Sequence, residues 1–171
     1  MFVRGIVYTI IIIISFLLQT SVFEFLKLAD TTPNFLLIFV VSVALMRGRK
    51  EAVPVGFFCG LLLDIFYGNL LGQYALLYVV IGYINGFFHR LYFEDDFLLP
   101  LVVLAGNALT YDLLIYFFFF FTRGRLGFFY FLGHLIIPEA VYTAILAVVI
   151  YRILLPVFGK IDKYEKRSVI L

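Results

Sequence analysis

Apolar residues along this chain come in long runs, and nearly every charge falls between them. A helix that crosses a membrane needs about 20 mostly apolar residues, within a range of about 17–25. The pattern predicts six such spans. The first covers residues 6–23 (IVYTIIIIISFLLQTSVF); it is long, and no A-x-A-like site follows, so it reads as a retained anchor rather than a signal peptide. The second, 31–47, reaches a workable length by starting at Thr31 and letting Arg47 snorkel. It ends in the turn Arg47 to Glu51, whose four charges in five residues cannot lie in hydrocarbon. The third span, 52–66, holds one charge, Asp64, and the fourth, 71–88, stops at His89-Arg90. The fifth, 97–121, carries Asp112 and is closed by Arg123 and Arg125. A connector from Leu126 to Gly133 is expected along the interface, followed by the sixth span, 134–155, and a basic cytoplasmic tail, 156–171. The expectation is an all-α membrane protein: one transmembrane domain over 1–171, a polytopic bundle of six helices with short loops.

Composition sharpens this picture. The chain is 64% hydrophobic and 14% charged, against about 45–50% and about 25% in soluble domains, which excludes a water-soluble fold. With no Trp, the 12 Tyr must supply any interfacial belt. Orientation follows from the basic residues. With the N-terminus inside, ten of the 13 face the cytoplasm: Arg4, Arg47, Arg49, Lys50, Arg90, Arg152, Lys160, Lys163, Lys166 and Arg167. Lys27, Arg123 and Arg125 lie outside. Both termini are therefore expected in the cytoplasm. A net charge of +2 is too small to suggest a nucleic acid, although the basic tail could touch anionic lipid headgroups. The single cysteine, Cys59, excludes an internal disulfide and every multi-Cys metal site.

Asp64, Asp112 and Glu139 are the acids inside apolar runs, and all fall in the outer half of the predicted bilayer, where Asn34 can join them. Ionisable groups at such depth face the bundle interior or a cavity. One reading is a polar pocket or partner-contact patch open to the periplasm; the other is that each group bonds a neighbouring helix and fixes packing. His89 and His134 fall on opposite faces, and no nucleophile–base set or phosphate loop is present, so an enzyme, a cofactor and a metal are not expected. Asn85 and Asn107 read as interhelical hydrogen bonders. Ala52, Gly56 and Gly60 stand four apart on span three, a stripe that lets two backbones approach closely. An intramolecular neighbour, span two or span four, is favoured over a partner's helix.

The stretch from Pro33 to Leu76 resembles the MreD family of rod shape-determining proteins. The features that carry the likeness are Pro33-Asn34, the turn at Arg47-Gly48, Gly56-Phe57 with Gly60-Leu61 and Asp64, and Leu71-Gly72 with Ala75-Leu76. Pro138-Glu139 at the start of the last span also fits. The resemblance implies a non-enzymatic inner-membrane subunit of the bacterial elongation machinery. Its implied partner is MreC, a bitopic periplasmic scaffold, working with a penicillin-binding transpeptidase, a RodA-type glycosyltransferase and MreB filaments. The family is also similar in fold to the substrate-binding subunits of energy-coupling-factor vitamin transporters, which supplies the alternative function. Those subunits dock through small residues on the first helix, whereas span one here has no Gly or Ala.

Overall fold

In a computed structural model of the protein, residues 2–22, 31–68, 71–91, 98–120, 130 and 132–169 are described. Six α-helices lie among them: α1 (Phe2–Leu17), α2 (Phe35–Arg47), α3 (Arg49–Tyr67), α4 (Gln73–Asn85), α5 (Leu98–Ile115) and α6 (Ile137–Val169). Among the described residues there is no β-strand. Wider π-helical turns extend α1 over Leu18–Val22 and α5 over Tyr116–Phe120, and another, Leu132–Ile136, leads into α6.

The short helix α2 is the axis of the bundle. It packs against all five other helices, and every residue from Phe35 to Leu45 is buried. A helix apolar on all sides belongs in the interior of a structure, and the run FLLIFVVSVAL has no polar face to turn outward. Its 13 residues rise about 20 Å, less than the roughly 30 Å hydrocarbon core. Both ends are nevertheless closed. Asn34 caps the first turn by accepting the Leu37 N–H at 2.9 Å. At the other end Gly48, whose positive φ of 78° suits glycine, donates its N–H to the Ala44 carbonyl and turns the chain straight into α3. The predicted helical extension back to Thr31 does not form; helix begins after the Asn34 cap.

Three helical stretches are long and apolar enough to cross a membrane: Val3–Ser21, Pro100–Phe118 and Leu132–Ile161. Their outward faces are aliphatic and exposed, as with Ile6, Ile10, Ile13 and Leu17 on α1 and Val141, Ile145, Val149 and Ile153 on α6. The stretch expected to form a separate tail after residue 155 differs from the prediction. Helix α6 continues through Pro156 to Val169, and Phe158 and Ile161 are buried in the bundle. The anchor is Arg47, whose Nη2 donates to the Phe158 carbonyl at 3.0 Å while its guanidinium lies 5.5 Å from the Phe158 ring centre. A charge-assisted bond and a cation–π contact together hold this end of α6 against α2. Most of the Leu126–Gly133 connector lies outside the described residues.

Candidate functional site

The four polar residues singled out from the sequence lie on four different helices or their caps, at the bundle end remote from Arg47. Each has its own role. Asn34 is buried and committed at three points: beyond the Leu37 cap, its Oδ1 accepts the Tyr78 hydroxyl at 2.8 Å, and its backbone N–H donates to Thr143 Oγ1 at 3.1 Å. One residue thereby ties the start of α2 to α4 and α6. The ring of Tyr78 meets that of Tyr111 edge-on, centroids 5.4 Å apart, which brings α5 into the same cluster.

Asp64, in the last turn of α3, caps α4 across the turn between the two helices. Its carboxylate accepts the N–H groups of Gly72 (2.9 Å), Tyr74 (2.9 Å) and Ala75 (3.0 Å). These are donors of the first turn of α4, which have no partner within the helix, and an anion there also complements the helix dipole. Gly72 supports the geometry with a φ of 102°, open to glycine at no steric cost. Asp64 is 2% exposed, and its hydrogen-bonding capacity is spent on backbone.

Asp112 and Glu139 form the remaining pair. Asp112 is 7% exposed, and among the described residues its Oδ2 has no hydrogen-bond partner. Glu139, in the first turn of α6, is half-buried and close enough to act electrostatically on Asp112, Tyr74, Tyr78 and Tyr111. Tyr74 also feels Asp64 electrostatically. The cluster offers hydrogen-bond acceptors and tyrosine hydroxyls but no nucleophile–base couple. Among the described residues, no three His, Cys, Asp or Glu side chains gather as metal ligands. Sequence reasoning missed Tyr78, Tyr111 and Thr143. Tyr78 shares a helical stripe with Ala75 and Gly82, a spacing that does signal a packed face.

Ala52, Gly56 and Gly60 face α4. A Cβ on Gly60 would come within 2.4 Å of the Ala75 Cα, and one on Gly56 within 2.6 Å of the Tyr78 carbonyl oxygen. The partner helix answers in kind: a Cβ on Gly82 would meet the Ala52 carbonyl oxygen at 2.9 Å, and one on Gly86 the Arg49 nitrogen at 2.4 Å. α3 and α4 thus run antiparallel with their backbones in contact along their length. Closer to the basic turn, Asn85 and Asn107 exchange reciprocal side-chain hydrogen bonds of 2.7 Å, joining α4 to α5. Pairs of this kind contribute about 0.6 kcal/mol on average within membranes. His89 lies there too, its Nδ1 2.7 Å from the Leu45 carbonyl.

The motif residues between Gly56 and Ala75 thus fall into one clasp, in which Gly56, Gly60, Asp64, Gly72 and Ala75 jointly lock α3 to α4. A family model described as rod shape-determining protein MreD matches residues 1–160. The chain belongs to the MreD family. No curated protein and no solved structure matches it. Membership of the MreD family assigns a role in rod-shape determination, within a family of shape-determining structural proteins rather than enzymes. The transporter alternative gains no support from this match.

Proposed function

We propose that this MreD-family protein crosses the inner membrane six times, with both termini in the cytoplasm, and serves as a non-enzymatic scaffold of the cell-elongation machinery. Its helices hold the single span of an MreC-like bitopic partner, and through that partner help to organise a penicillin-binding transpeptidase and a RodA-type glycosyltransferase near MreB. The observation that carries this reading is the family match over residues 1–160. The geometry is in keeping with it. Asn34 and Asp64 spend their polar atoms inside the bundle, while the outward faces are aliphatic surfaces of the kind that pack against lipid or another helix.

The test is crosslinking in the native membrane, affinity purification and mass spectrometry of what accompanies the protein. Recovery of a bitopic periplasmic coiled-coil protein with cell-wall synthases is the expected result. Recovery of ATPase subunits with a transmembrane coupling protein would overturn it.

A further inference from the structure

Helices α1 and α3 run parallel and touch at their two ends. At the basic end, Arg4 pairs with Glu51, and the Tyr8 hydroxyl donates to Glu51 Oε2 at 2.6 Å. At the other end, the Phe16 ring packs on Phe66 and Tyr67, with centroids 4.9 and 6.4 Å away. Between these pins the helices stand apart, leaving a slot of about 670 Å3. Its walls are apolar over most of their length, with Ile12, Ile13, Val55, Phe58 and Leu62 among them. Pro54, also in the wall, lacks an N–H and so interrupts the hydrogen-bond ladder of α3 there. Polar groups are concentrated at the basic end, where Lys50 joins Arg4 and Glu51.

We propose that this slot holds an acyl chain of an anionic glycerophospholipid from the surrounding bilayer, with its headgroup phosphate on Lys50. Three observations select this occupant. Along α3 the slot's lining runs from Lys50 to Leu62, a rise of about 18 Å. That is a little over one leaflet of a roughly 30 Å core. A partner's spanning helix would have to break a pin to enter; a flexible chain lies between them. The charge is also complementary. Arg4 neutralises Glu51, which leaves the exposed Lys50 ammonium as the net charge at the mouth, and an ammonium there attracts an anionic headgroup as juxtamembrane lysines do. Finally, the wall has room at its charged end: a Cβ on Gly5 would meet no heavy atom within 4 Å.

The experiment uses the full chain in bilayer discs of equal parts phosphatidylglycerol and phosphatidylcholine. One lipid at a time carries a photoreactive acyl chain, and the labelled peptides are mapped by mass spectrometry. The expected result is several-fold stronger labelling by phosphatidylglycerol, confined to residues 4–13 and 50–62. Gly5→Leu, which grows into free space, should reduce that labelling several-fold. Lys50→Gln should equalise the two lipids. Equal labelling by both headgroups in the unaltered protein, or a preference that survives Lys50→Gln, would overturn the proposal. If Gly5→Leu does not purify, Lys50→Gln, at an exposed position, decides alone.

Discussion

Gly60 shows how much can depend on the absence of a side chain. Its Cα faces the first turn of α4 so closely that a Cβ would sit 2.5 Å from the Ala75 nitrogen and the Tyr74 carbonyl oxygen, backbone atoms that cannot rotate away. Gly60→Leu should therefore exceed the ~1–3 kcal/mol typical of an overpacked core. Folded yield in detergent, read by size-exclusion chromatography, should fall sharply; a variant that elutes and melts like the parent would refute the close approach. Asp112 invites the opposite change. Its Oδ2, with no hydrogen-bond partner among the described residues, lies buried beside a second acid, and burying an ionisable group without a partner is costly. Asp112→Asn keeps the shape and replaces the ionisable carboxyl with a neutral amide. Its unfolding temperature should match or exceed that of the parent, and recovery of the bitopic partner should be undiminished. Loss of that partner would place Asp112 in an interface instead.

Among elements, α3 and α4 are the pair most completely specified by the sequence. The small-residue stripe was legible as a close-packed face because four-residue spacing puts Ala52, Gly56 and Gly60 on one side of a helix. Asp64 was legible as a polar group needing a partner. That its partner is the start of α4 was not, because a cap eight to eleven residues downstream depends on the turn between the helices. The consequence can be measured. Asp64→Ala strands three N–H groups at once, whereas losing an ordinary cap costs about 0.5–2 kcal/mol. Thermal unfolding of the purified variant should show a loss at or above the top of that range. A change within error of the parent would mean that water replaces the carboxylate. The central place of α2 was likewise hidden, since a helix buried on every side and one wrapped in lipid present the same unbroken apolar run. Its Asn34 cap and the Arg4–Glu51 pin join residues far apart in the chain, and no local pattern encodes such pairs.

For the molecule as a whole, the six apolar runs were readable because charged turns interrupt them; the described residues contain six α-helices, and three helical stretches are long and apolar enough to cross a membrane. Sidedness rests on the basic residues alone and has a direct test. In a Cys59→Ser background, Leu71→Cys should react with a membrane-impermeant maleimide on intact spheroplasts, and Lys50→Cys only after permeabilisation. The reverse pattern would invert the proposed topology. The central position of α2 also has a consequence in time. Its cap bonds Thr143, 109 residues further along, and Arg47 holds the Phe158 carbonyl, 111 residues on. At the usual 5–20 residues per second of synthesis, α2 therefore waits about 5–20 s for its last neighbour, whereas the α3–α4 clasp closes from adjacent segments almost as soon as it emerges. The most deeply enclosed helix of the finished protein is thus among the first made and the last to be covered, and during that interval its cover must come from lipid or from the insertion machinery.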